Sequence, residues 1–142
     1  MADIPIGIFL ERKQLVTKDV AIRFMQQAPV LSTPSLIGFL EMTARDCIFK
    51  LLDPGYETVG THVDIRHLAA TPIGMEVITR AEVIGVSDRR ITFKLEAWDP
   101  RDKIAEGTHE RFIINVARFA ARLQTKLAEA SKTPKDLQAN RE

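Results

Sequence analysis

The chain has 142 residues, the length of one domain or of one subunit in a small oligomer. A formal net charge of +1, with no basic run interleaved with aromatics, excludes the electrostatic footprint of a nucleic-acid binder. A lone cysteine, Cys47, excludes an internal disulfide, while 45% hydrophobic residues supply a substantial core.

The N-terminal apolar patch is too short to cross a bilayer and lacks a signal-peptide layout, and no later apolar run reaches membrane length. A soluble cytoplasmic protein without nucleic-acid or membrane partners is expected. Phe9 to Val16 alternates poorly, which fits an edge strand or a strand that pairs with a partner. Thr17 to Asp19 reads as a turn and Val20 to Phe24 as a short strand. The chain then passes through Pro29 to its most apolar stretch.

Ser32 to Leu52 reads as a long helix, with Thr33 as N-cap and Pro34 at the first helical position. Leu36, Leu40, Ala44, Cys47, Ile48 and Leu51 form one broad stripe, and Phe39, Met42 and Phe49 a second. A helix apolar on both sides is wrapped, by a sheet on one side and more protein on the other. Glu41 lies at the edge of the main stripe, where a carboxylate is costly unless it is paired, hydrogen-bonded or used. Asp53-Pro54-Gly55 ends the helix.

Strand signals follow. In Thr58 to Leu68, period two puts Val59, Thr61, Val63, Ile65 and His67 on one face and Gly60, His62, Asp64 and Arg66 on the other. Ala69 to Gly74 connects to Met75–Val86, where Val77, Ala81 and Val83 face in. A turn at Ser87-Asp88-Arg89 leads to Arg90–Trp98, with Ile91, Phe93, Leu95 and Ala97 facing in. A second turn at Asp99 to Asp102 leads to Lys103–Asn115. Val116 to Ala130 is an amphipathic helix carrying Val116, Phe119, Ala120, Leu123 and Leu127 on one stripe. Residues 1–130 thus make a single α+β domain, a long helix cradled by a curved antiparallel meander, and 131–142 a polar, frayed tail. The helix's second apolar side and the sheet edges call for a homodimer.

Thr33, Glu41 and His67 converge on the inside of this arrangement. A carboxylate, an imidazole and a hydroxyl together can activate water or attack a carbonyl. An inward histidine is also a common satisfied core residue, and capping alone accounts for Thr33, so both readings stay open at this point. His62 falls on the polar face. His109, in Gly107-Thr108-His109-Glu110-Arg111, sits in a run rich in both charges, where Glu110 and Arg111 read as cross-strand surface pairs. No phosphate-binding glycine loop and no tight metal-ligand spacing is present, so no metal is expected.

The segment Leu52-Asp53-Pro54-Gly55-Tyr56-Glu57-Thr58-Val59-Gly60-Thr61, with Glu41 before it and His67-Leu68-Ala69-Ala70-Thr71-Pro72-Ile73-Gly74-Met75 after it, resembles the fluoroacetyl-CoA thioesterase family. The run Gly107 to Arg111 matches the same family, and the resemblance extends from about Pro29 to Arg122. It implies the hotdog fold, a homodimer joined through its sheets, and hydrolysis of a small acyl-CoA with no cofactor beyond the coenzyme A of the substrate. The family's catalytic Thr, Glu and His fall on Thr33, Glu41 and His67, and its glycine beside the acyl group falls on Gly60. Strand parity sets Gly60 opposite His67, so a bulge between them is required if both line one pocket. The family's Phe-rich lid before the helix is here the short Met25 to Leu31, with only Phe24 nearby as a substrate contact, so fluoroacetyl selectivity is not expected. Arg89, Arg90, Arg118 and Arg122 are available for coenzyme A phosphates, and solubility explains them equally well. A non-catalytic acyl-CoA-binding hotdog domain is the alternative, and a hotdog dehydratase ranks last.

Overall fold

In the computed structural model, which describes residues 3–130, one sheet of five antiparallel strands curves around one long helix. The elements run β1 (Phe9–Leu15), α1 (Thr33–Phe49), β2 (Tyr56–His67), β3 (Glu76–Ser87), β4 (Arg90–Trp98), β5 (Lys103–Asn115) and α2 (Val116–Ala130). The sheet order is β1-β3-β4-β5-β2. The hairpins β3-β4 and β4-β5 are the expected meander, and β1 is an edge strand as expected. The first long strand departs from simple succession: β2 pairs with β5 rather than β3 and forms the far edge. The connection after His67 achieves this by crossing beside the entry to α1. There Leu31 N–H donates to the Thr71 carbonyl at 2.8 Å and Val30 bridges Pro72.

Helix α1 buries Leu36, Leu40, Thr43, Ala44 and Ile48 against the sheet. They meet Val77, Ala81 and Val83 of β3, Ile91, Phe93, Leu95 and Ala97 of β4, and Ile104, Ala105 and Ile113 of β5 in one core. A polar link runs through this seam. The Thr43 hydroxyl donates to the Phe39 carbonyl at 2.8 Å, and the Thr79 hydroxyl therefore donates to Thr43 Oγ1 at 2.7 Å. Arg45 grips Glu57 of β2 through two N–H···O bonds of 2.8 and 2.9 Å, and its neighbour Asp46 pairs with Arg12 of β1. The second apolar side of α1 is left partly open, with Met42 51% and Phe49 41% exposed.

Three local expectations are corrected. Ser32, not Thr33, caps α1, its hydroxyl accepting from Ser35 N–H at 3.2 Å; Thr33 is the first helical residue, which frees its hydroxyl. Val20 to Phe24 is not a strand: a 3-10 turn covers Lys18–Val20, and the extended contact is the single bridge between Ala21 and Leu31. The parity of β2 changes partway along. The register shifts between Gly60, opposite Arg111, and His62, opposite Glu110, so Thr61 is the extra residue of a bulge. Upstream, Thr58 is buried and Gly60 faces α1, while Val59 pairs with the exposed Phe112 on the outer face. Downstream, Val63, Ile65 and His67 face inward. The bulge brings Gly60 and His67 to the same side of the sheet.

Helix α2 buries no residue, and Leu123 and Leu127 of its stripe are 50% and 69% exposed. Among the described residues no helix is long and apolar enough to cross a membrane. The expected tail, 131–142, lies outside the described residues.

Candidate functional site

Two groups of polar side chains face the seam between α1 and β2. The first joins the start of α1 to the end of β2, where Thr33 Oγ1 and His67 Nδ1 lie 2.8 Å apart. The pair borders an open cleft of about 340 Å³ lined by Thr33, His67, Leu68, Ala69 and Ala70. His67 Nε2 is buried and has no hydrogen-bond partner among the described residues. Buried polar atoms are ordinarily paired, so an orphan nitrogen beside a cleft marks a place where a ligand atom or water belongs. Burial holds the imidazole below its ordinary value of 6.5, opposed by a backbone contact at Ala69, so the ring is neutral near pH 7. When the Thr33 hydroxyl donates to Nδ1, the ring's proton sits on Nε2, aimed away from Thr33.

The second group surrounds Glu41. Thr33 and Glu41 are eight residues apart on one helix, about 12 Å of axial rise, so Glu41 meets a different part of β2. A Cβ built on Gly60 would stand 2.6 Å from Glu41 Oε2 and 3.2 Å from His109 Cε1, so only glycine allows the carboxylate this close to the strand. Arg111 Nη1 lies 3.7 Å from Glu41 Oε2, an ion pair without a hydrogen bond. The Glu41 side chain keeps 37% of its surface in solvent, while that of Arg111 keeps 8%. Arg111 is anchored instead on Thr58: Nε donates to Oγ1 at 2.8 Å and Nη2 to the carbonyl at 2.9 Å.

His109 completes this group. Its Nδ1 lies 2.7 Å from the His62 carbonyl, which can only accept, so Nδ1 carries the proton. Nε2 then accepts from Arg111 Nη1 at 3.2 Å. The ring is fully buried, 6.1 Å between centroids from Phe93. Burial first, and Arg111 after it, hold this imidazole below its ordinary value, against the hydrogen bond to His62.

Thr33 and His67 meet, whereas Glu41 and Gly60 meet one another further along the seam. His62 is solvent-facing as expected, 3.7 Å from Glu110 on the outer face. His109 and Arg111 are corrections, since both are buried beside Glu41 rather than at the surface. The alternation from Ala105 through Gly107, His109 and Arg111 to Ile113 carried the signal, but no apolar contrast marked the middle of it. Phe24 is 87% exposed in the loop before α1 and is absent from the lining of the Thr33–His67 cleft. Among the described residues no group of three His, Cys, Asp or Glu side chains is placed to hold a metal ion.

A helix wrapped by a five-stranded antiparallel sheet, with carboxylate, imidazole and hydroxyl on the inner seam, defines the hotdog class of thioesterase-like proteins. The chain belongs to the fluoroacetyl-CoA-specific thioesterase family, whose model matches residues 16–117. A fluoroacetyl-CoA thioesterase from Streptantibioticus cattleyicolor is 34% identical over 103 residues, covering 72% of this chain and 74% of the relative. A solved structure of the fluoroacetyl-CoA thioesterase superposes with a TM-score of 0.82 at 28% identity, over 93% of this chain and 99% of that one. A thioesterase superfamily member from Thermus thermophilus superposes at 0.86 and 27% identity, over 94% and 100%.

Proposed function

We propose that the protein is an acyl-CoA thioesterase that hydrolyses a small acyl thioester to the free acid and coenzyme A, with Thr33, Glu41 and His67 as its reacting constellation. Membership of a thioesterase family gives the reaction class. The observation that carries the assignment of residues is His67 held on Thr33, with its buried Nε2 left unpartnered at a cleft among the described residues. In this reading Glu41 supplies the attack on the thioester carbonyl, directly or through a water whose proton it takes. His67 Nε2–H gives a proton to the departing thiolate, and Thr33 fixes the ring's tautomer. Gly60 lets the acyl group lie against the strand beside Glu41. Hydrolysis by this set draws on water alone, with coenzyme A present only as the carrier half of the substrate.

The separation of the two groups along α1 supports a homodimer in which each site is shared. β2 is an edge strand, so its outer backbone groups are free to pair with a second copy. An antiparallel β2–β2 contact centred on Asp64, with Thr61 as the extra residue of the bulge, sets Gly60 of one protomer opposite the partner's His67. Glu41 of one chain then faces the Thr33–His67 pair of the other across the twofold axis.

The test is thiol release from short acyl-CoAs, acetyl and fluoroacetyl among them, by wild type beside Glu41→Gln and His67→Ala. Both variants are expected to stay folded and to lose at least about 100-fold in turnover. Fluoroacetyl-CoA is not expected to be strongly preferred, because Phe24 stands apart from the cleft and the preceding loop is short. Full activity in both variants would overturn the residue roles, and binding of acyl-CoA without hydrolysis by wild type would leave a binding domain.

A further inference from the structure

We propose that His109 is a positioning residue for Glu41. Held between the β2 bulge and Arg111, it keeps the guanidinium close enough to face the carboxylate but stops it from closing into a tight ion pair. The inference rests on Glu41 being the reacting carboxylate.

Three contacts define the device. His109 Nδ1–H donates to the carbonyl of His62, the residue just past the bulge that turns Gly60 inward. Its Nε2 lone pair accepts from Arg111 Nη1, while Nε and Nη2 of the same guanidinium are fixed on Thr58. One N–H of Nη1 is thereby tethered to His109 at 3.2 Å, and with Nε and Nη2 pinned on Thr58 the guanidinium stands with Nη1 3.7 Å from Glu41 Oε2, beyond hydrogen-bond length. A charge-assisted Arg–carboxylate bond at the usual 2.7–2.9 Å is strong. A carboxylate captured that way has its lone pairs occupied and is a poorer nucleophile or base. A cation held slightly back still balances the charge without occupying those lone pairs. The burial of His109 against Phe93 fits this role, because a solvated ring would be free to turn away.

The wild-type protein supplies the first test. Imidazole 15N spectra should identify His109 as the tautomer protonated at Nδ1 and bare at Nε2, and the opposite tautomer would overturn the proposal. The second test is the crystal structure of His109→Asn, whose side-chain amide still reaches the His62 carbonyl but offers nothing at the Nε2 position. There Arg111 Nη1 is expected to close on Glu41 to hydrogen-bond distance, and an unchanged separation would refute the device. In turnover of short acyl-CoAs, His109→Asn should lose on the order of tenfold in kcat with KM unchanged. His109→Gln, which returns an acceptor to the Nε2 position, should recover most of that loss. Equal losses in both variants, or a loss confined to KM, would reduce His109 to a packing residue. A wild type inert toward every acyl-CoA would overturn the hydrolase reading and this role together, whereas an active enzyme indifferent to His109→Asn would overturn this inference alone.

Discussion

Among single residues, Gly60 is the tightest constraint on the site. An alanine there would bring its methyl to 2.6 Å from Glu41 Oε2. That oxygen ends a flexible side chain, so the carboxylate swings aside and the fold survives. Gly60→Ala is expected to change the melting temperature by only a few degrees while turnover falls at least about tenfold. Calorimetry beside an acyl-CoA assay checks both halves, and undiminished turnover would mean that the carboxylate's position is unimportant. His67 makes the complementary prediction in pH. Its pKa is depressed by burial, so it stays neutral below 6.5, where an ordinary histidine is half protonated. Activity that depends on the neutral ring should persist as pH falls past 6.5 and fail only at lower values. The same sign governs stability: the unfolded chain takes up protons near 6.5 while folded His67 and His109 do not, so stability present above that value is lost as the pH drops. A rate profile already half-lost at pH 6.5 would contradict the assignment.

At the scale of elements, the apolar periodicities carried most of the fold. The inward residues Val77, Ala81 and Val83 of β3 and Ile91, Phe93, Leu95 and Ala97 of β4 keep to one face by period two, and α1 repeats its leucines at helical spacing, so both are legible. What escaped has physical reasons. Ser32 and Thr33 are both capping residue types, and the extended backbone at Ser32 decides between them. The polar run through His109 and Arg111 is inward because Thr58 and His109 accept from its guanidinium while Glu41 faces its charge, and such satisfaction is invisible in a one-dimensional pattern. Strand parity sets Gly60 opposite His67, so a shared pocket requires a bulge between them, and nothing in the residue pattern marks Thr61 as its place. The Thr43–Thr79 link shows how α1 is held in register over β3. Thr43→Val strands the Thr79 hydroxyl in the core and is expected to cost about 1–3 kcal/mol. Adding Thr79→Val removes the stranded group, so the double variant should regain part of that stability. Denaturant unfolding of the three variants checks this, and simple additivity would show that the two hydroxyls do not act as a pair.

At the scale of the whole molecule, one chain carries both halves of the proposed constellation but keeps them apart. Glu41 stands with Gly60, and His67 with Thr33, roughly 12 Å along the helix from one another. In the proposed dimer, antiparallel pairing of β2 edges joins unlike halves, because a twofold axis at Asp64 reverses the order of Gly60 and His67. Each site of such a dimer takes its acid from one protomer and its imidazole from the other. Two variants expected to be inert alone, Glu41→Gln and His67→Ala, then become complementary. In their mixed dimer one site carries both substitutions and the other carries neither. After subunit exchange half of the dimers are mixed, each with one intact site, so activity should return to about a quarter of the wild-type value. If each chain housed its own complete site, every site in the mixture would remain damaged and no activity would return. Mixing the two inert proteins through mild denaturant and measuring thiol release therefore separates a shared site from a self-contained one.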